Sequence, residues 1–185
     1  YQNIAALFSE KGENELAISH YQKALVYFEE NSFDAAITLS NIAYDYHQKG
    51  DYNLAEEYYL RAIDLEEKLL QQYGNQEDIR QDWIRIRHNY ATFLNKTAAY
   101  SQARKQLELT NQWIVPVDTL VRSNHYTILG GNLAKQGHFE EAEQHWQLAL
   151  RMRQNLSNAP VTFLSDSYYD IGHYLYAAQG DFTSA

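Results

Sequence analysis

A spaced set of small and apolar residues recurs around four points of the chain and limits its fold more than any other feature. Around Gly50 the set lies at offsets −8, −7, −4, +5, +9 and +12 and consists of Ile42, Ala43, Tyr46, Ala55, Tyr59 and Ala62. The same offsets around Gly12 and Gly137 are again small or apolar, and those around Ala98 match with a weaker Thr110. A fifth copy near Gly180 is one residue out of register.

These offsets have the spacing of helices. Apolar residues three or four positions apart share one helical face, and each set changes face at its central residue. Glycine adopts the left-handed conformation that ends a helix, and small residues at a crossing let two helix backbones approach closely. The pattern therefore predicts an all-α chain of about nine helices without sheet, folded as antiparallel helix pairs that stack on one another.

The stretch NIAYDYHQKGDYNLAEEYYLRAIDL, residues 41–65, resembles the tetratricopeptide repeat, whose helix pairs form a right-handed superhelical solenoid with a concave groove. The repeat centres are 38, 48, 39 and 43 residues apart, longer than the usual period of about 34. One long helix is predicted to end at Gly74, with Asn75 as the next N-cap. This resembles the long-helix subtype of kinesin light chains and bacterial signalling proteins.

We expect one repeat array over residues 1–185, with repeats near 1–31, 36–74, 76–115, 119–155 and 160–185. The chain begins inside a first helix and stops inside a second one, without the polar caps that solenoids need. It is therefore interpreted as a piece of a longer protein.

Charge and composition exclude several functional classes. The net charge is −9, with 13 acidic and 5 basic residues in 1–74, 5 and 7 in 75–125, and 6 and 3 in 126–185. Nucleic-acid binding needs clustered Lys and Arg and is not expected. No apolar run approaches a membrane span. Zero cysteines leave no disulfide or zinc-thiolate site, which is compatible with the cytoplasmic location that we expect.

The first helix of each predicted pair carries a second stripe, opposite its packing face, and in tetratricopeptide repeat proteins this stripe lines the groove. Its peptide-binding candidates are mostly polar: Asn3, Asn41, Tyr44, His47, Gln48, Arg85, His88, Asn89, Thr92, Lys96, Asn124 and Lys135. Asparagine recurs at one place, as Asn3, Asn41 and Asn89. An amide both donates and accepts, so this series suits an extended peptide backbone. The alternative is that each asparagine bonds a neighbouring helix or water.

Arg85, His88 and Lys96 are candidates for holding an acidic side chain of a partner, and the alternative is a solvated helix face. The carboxylate clamp of some tetratricopeptide repeat proteins is not matched, because Gln2, Ala6 and Ser40 replace its residues.

Two other site classes are not expected. His138, Glu141 and His145 have helical spacing but no further ligand nearby, so we expect no metal. No cofactor motif or catalytic constellation is evident, and we expect no enzyme activity.

Two functions follow from these observations. The first is a non-catalytic protein–protein interaction module that binds a peptide or partner helix in its concave groove. The second is a regulatory or assembly segment of a larger signalling enzyme or transcriptional regulator.

Overall fold

The computed structural model describes residues 1–74, 77, 79–114, 119–156, 165, 168, 169, 171 and 172. Within them the secondary structure is helical and contains no strand. The eight helices are α1 (Gln2–Glu10), α2 (Asn14–Leu25), α3 (Phe33–Lys49), α4 (Tyr52–Tyr73), α5 (Arg80–Lys96), α6 (Tyr100–Asn111), α7 (Thr119–Lys135) and α8 (Phe139–Gln154). The predicted all-α class is confirmed. No helix among these residues is both long and apolar enough to cross a membrane.

Contacts divide the chain into two compact units, Tyr1–Tyr90 and Ala91–Ala185. In the first unit α2 packs against both α1 and α3, and α3 packs against α4. Its first core cluster joins three helices through Ala5, Ala17, Ile18, Tyr21 and Ile42. All of these except Ile18 stand at the repeat offsets, so the residues that define the pattern are the ones that pack.

A buried ion pair links α4 and α5 in the first unit. Arg87 Nε donates to Glu66 Oε1 over 2.7 Å, and both side chains are almost completely shielded from solvent. Arg87 also reaches the exposed Glu67 over 3.3 Å. Burial raises the pKa of Glu66 to about 7, although the neighbouring guanidinium lowers it. Removing Arg87 would leave a carboxylate without compensation in the interior.

In the second unit α7 packs against α8 and α6 packs against α7. Leu133, Ala134, Ala142 and Trp146 form its core cluster. Gly130 lies directly under the Trp146 ring, because a Cβ built on this glycine would be 2.6 Å from Trp146 Nε1. A glycine at offset −7 thus makes room for the bulkiest side chain found at offset +9.

The first helix of each pair ends in the left-handed conformation predicted for it. Gly12, Gly50 and Gly137 have φ values of 74, 83 and 85°, and Ala98, which replaces the glycine, has φ 63°. Ala98 adopts this conformation at a steric cost that glycine does not have. The turn at Ala98 therefore has the same left-handed conformation as the turns at the three glycines.

The long fourth helix ends where predicted. Its last residue is Tyr73, and Gly74 follows with φ 74°. The predicted N-cap Asn75 lies outside the described residues, as do most residues of the predicted fifth repeat and of the predicted ninth helix. The repeat boundaries given above stay predictions.

Candidate binding surface

The predicted stripe of the first unit contains both exposed and engaged side chains. Tyr44 is 39% exposed, and Asn3, Gln48 and Arg85 are exposed as well. Asn41, His47 and Asn89 are half-buried. The His47 ring lies 6.0 Å from the Tyr52 ring, measured between centroids.

Asn41 has a partner within the protein. Its side chain hydrogen-bonds the hydroxyl of Tyr21, a buried residue of α2. Burial and the nearby Asp45 raise the pKa of Tyr21 to about 12, while Arg85 and Asn41 act in the opposite direction. For Asn41 the bond to a neighbouring helix, which the sequence left open as an alternative, is therefore present. An amide has further bonding capacity, so this bond does not prevent contact with a ligand.

His88 does not lie on the exposed stripe. It is 6% exposed, in contrast to the expectation of a groove-facing side chain. It occupies offset −10 from Ala98, where two other repeats also have side chains with little solvent contact or with a partner: Ser40 is buried, and Gln2 Nε2 donates to Thr38 Oγ1 over 3.2 Å. Packing between helices therefore buries a wider part of the first helix than the apolar residues of the pattern indicate.

Arg85 is exposed but already has an anionic neighbour. Its Nη2 lies 2.7 Å from Asp82 Oδ1, one turn earlier in α5. An acidic group of a partner would therefore compete with Asp82 for this guanidinium.

Four candidates of the stripe belong to the second unit. Thr92, Lys96 and Lys135 are exposed. Asn124 is half-buried, and its Oδ1 accepts from Arg153 Nη2 over 2.8 Å. Asn124 therefore bonds a neighbouring helix, as Asn41 does.

One buried polar residue beside the stripe, Asp45, was not predicted from the sequence. Ser9 Oγ donates to Asp45 Oδ1 over 2.6 Å, and Asp45 has no exposed surface. Burial raises the pKa of Asp45 to about 6, partly offset by the bond from Ser9. A signal was available, because Asp45 stands at offset −5, where the apolar Phe93 stands in the third repeat and is buried.

The sequence suggested no metal at His138, Glu141 and His145. In the structure His138 Nδ1 lies 3.9 Å from Glu141 Oε1, and both side chains are exposed. No group of three metal-ligating side chains occurs among the residues that the structure describes.

Comparison with known proteins agrees with this geometry. Sequence models of the tetratricopeptide repeat match residues 1–69 and 124–160. The crystal structure of BtubC (BKLC) from P. vanneervenii superposes with a TM-score of 0.71 over 96% of this chain and 71% of that chain. Sequence identity is 20%, so this likeness shows the fold alone.

Two curated relatives match a shorter segment. Photosystem I assembly protein Ycf3 of Synechococcus elongatus and of a second Synechococcus strain are each 39% identical over 64 residues. The alignment covers 35% of this chain and 36% of each relative, so it spans about a third of their length. From the two matched segments, the capped helix pairs and the shared fold, the chain belongs to the tetratricopeptide repeat family.

Proposed function

We propose that this chain is a non-catalytic module that binds a peptide or a partner helix along the first helices of its repeats. The observation that carries the proposal is the exposed polar stripe of α3 and α5 in the first unit. Tyr44, Gln48 and Arg85 keep solvent contact there, while the opposite faces of the same helices are buried in the core. A cytoplasmic location is part of the proposal.

The chemistry of the stripe favours an extended backbone as ligand. Asn89 is half-buried on α5, and its amide offers a donor and an acceptor. Tyr44, on the first helix of the preceding repeat, adds an aromatic surface that suits an apolar side chain of the ligand. Arg85 adds a cationic group to the stripe of the first unit, so an acidic ligand segment, which would compete with Asp82 for the guanidinium, is favoured over a basic one.

A second candidate is an assembly role within a larger protein or complex. It is supported by the 39% identity to a protein whose name describes photosystem I assembly, over about a third of that protein. The same stripe would then hold a subunit during assembly or regulate an effector domain. This proposal differs from the first in the partner and not in the surface.

Peptides selected from a random phage-displayed library against the immobilised chain would test the stripe. We expect Asn89→Ala to weaken the selected peptide by about 1–3 kcal/mol, because a backbone group of the ligand is left unpaired. Melting should change little. Asn53→Ala is the matched control, since Asn53 is an exposed asparagine of α4 outside the stripe.

Asn41→Ala gives a second, distinguishable result. Because Asn41 also bonds Tyr21, this variant should lose both affinity and thermal stability. Unchanged affinity in both the Asn41 and the Asn89 variants would exclude the stripe as the binding surface.

A further inference from the structure

A cleft opens in the second unit between α6 and α7. Its volume is about 250 Å³, and it is lined by Arg104, Leu107, Asn111, His125, Tyr126 and Leu129. A smaller hollow adjoins it, shares Asn111, His125 and Tyr126, and adds Arg122. We call the two together the α6–α7 cleft. No stripe candidate of this unit lines either part, so the cleft is a separate surface.

Aromatic rings form one wall of the cleft. The Tyr126 ring stacks on His145 of α8 with centroids 5.6 Å apart and an interplanar angle of 15°. It also meets His125 edge-on over 5.8 Å. His125 is 5% exposed, so it forms the floor. These contacts hold the wall in a fixed geometry, which reduces the entropy lost when a ligand binds.

The positive charge of the cleft comes from its arginines. Burial and the neighbouring His145 lower the pKa of His125 to about 4, and burial together with Arg104 lowers the pKa of His145 despite the opposing Glu141. Both imidazoles are therefore neutral near pH 7. Arg104 lines the cleft from α6.

Arg104 differs from the two arginines of α5. Arg85 and Arg87 each have a carboxylate partner, whereas Arg104 forms no ion pair among the described residues. Glu108, one turn further along α6, also lines the cleft. Beside this carboxylate, Arg104 is thus a guanidinium without an ion pair among the described residues, whereas Arg122 of the adjoining hollow already has an interaction within the protein.

We propose that the α6–α7 cleft binds an acidic side chain of a partner protein, with apolar residues on either side of it. The larger part of the cleft, which Arg104 lines, has a volume of about 250 Å³; this is below the range of drug-sized pockets, roughly 300–1,000 Å³, and fits one side chain. The arginine fork matches a carboxylate, and Leu107 and Leu129 provide apolar surface for its neighbours. The cleft is a second contact point, beyond the stripe on the first helices.

The probe is the peptide acetyl-Gly-Leu-Glu-Leu-Gly-amide, with its glutamine analogue as reference, titrated into the full chain and followed by NMR. We expect the glutamate peptide to shift resonances of α6 and α7, and its affinity to fall about tenfold in Arg104→Gln. Lys105→Gln removes the same charge from the next, exposed residue of α6, which does not line the cleft, and should leave affinity within about twofold.

Glu108→Gln tests the assignment with the opposite sign, because removing the competing carboxylate should strengthen binding of the glutamate peptide. Asn53→Ala, on α4 and outside both the stripe and the cleft, should leave it unchanged. Equal affinity for the two peptides, no shift at millimolar peptide, or wild-type affinity in Arg104→Gln would overturn the proposal. Shifts caused by inorganic phosphate but not by the glutamate peptide would also overturn it, since the cleft would then bind a free anion.

Discussion

Buried polar side chains recur at one position of the repeat. We call the left-handed residue that ends each first helix, Gly12, Gly50, Ala98 or Gly137, its anchor. Asp45 and Asn132 both stand five residues before an anchor, and both are completely buried. Each is bonded to the residue three before the preceding anchor, which is Ser9 for Asp45 and Asn95 for Asn132. The same pair of positions therefore joins consecutive first helices by a hydrogen bond in each unit. In the first unit this bond involves an ionisable group.

The charge on Asp45 should make the first unit less stable as pH rises. Its pKa is about 6 in the folded chain and 3.8 in an unfolded one, so the folded state binds more protons between these values. Stability from this group is present below about pH 4 and is lost as pH rises through about 6. Asp45→Asn cannot ionise and should be more stable at pH 7 by roughly 1–3 kcal/mol, with the gain shrinking toward pH 4.

Urea unfolding of both proteins across this pH range measures the effect. Glu66 titrates in the same direction in both, so the difference between them isolates Asp45. Asp64→Asn, which breaks an exposed pair with Lys68, should change stability by less than about 0.5 kcal/mol. Parallel pH profiles for wild type and Asp45→Asn would show that this carboxyl is not destabilised by burial.

The ends of the first helices follow one capping scheme. In each helix, the backbone N–H of the residue after the anchor donates to the carbonyl of the residue four before the anchor. These bonds run from Glu13 to Phe8, from Asp51 to Tyr46, from Ala99 to Leu94 and from His138 to Leu133, over 2.8–3.0 Å. This is the hydrogen bond of a left-handed helix cap. This helix end could be predicted from the sequence, because the anchor and the apolar residues around it lie within a short segment of the chain. The prediction is also confirmed at Ala98, because apolar residues stand at the same offsets from it.

Contacts that depend on the neighbouring helix were not predictable in the same way. The burial of His88 and the bond from Asn41 to Tyr21 arise where a second helix covers the edge of the stripe. The spacing of residues within one helix does not contain that information. The cleft of the second unit was missed for the same reason, because Arg104, Tyr126 and His145 come together from three helices.

Gly130 and Trp146 form a matched pair between α7 and α8. Gly130→Ala should destabilise the chain by about 1–3 kcal/mol, because the new Cβ would overlap the indole ring, 2.6 Å from its Nε1. Gly131→Ala is the control on the same helix. Nothing lies within 4 Å of a Cβ there, so the gain in helix propensity should stabilise by about 0.5–1 kcal/mol. Chemical denaturation measures both.

A second-site change distinguishes overlap from a general effect of the substitution. The second repeat carries Ala43 and Tyr59 at the same two offsets, and both are buried. Gly130→Ala combined with Trp146→Tyr should therefore be more stable than the sum of the single changes predicts. Additive losses would mean that the two residues do not compete for the same space.

At the scale of the whole molecule, the net negative charge is concentrated in the first unit. Residues 1–90 hold 16 acidic and 8 basic residues, whereas residues 91–185 hold 8 and 7. Excess charge of one sign destabilises a compact state by self-repulsion, and dissolved salt screens it. The first unit should therefore gain more from added salt than the second. Each unit has a buried tryptophan that reports on it, Trp83 in the first and Trp146 in the second.

Incorporating 5-fluorotryptophan makes this difference measurable by ¹⁹F NMR during urea unfolding, with Trp113→Phe used to assign the third resonance. Raising NaCl from about 0.02 to 0.2 M, which shortens the screening length from about 20 to below 10 Å, should move the unfolding midpoint at Trp83 upward. The midpoint at Trp146 should move less, because its unit is almost balanced in charge. An equal shift at both tryptophans would contradict the prediction, since salt would then stabilise the chain through something other than the acidic excess of the first unit.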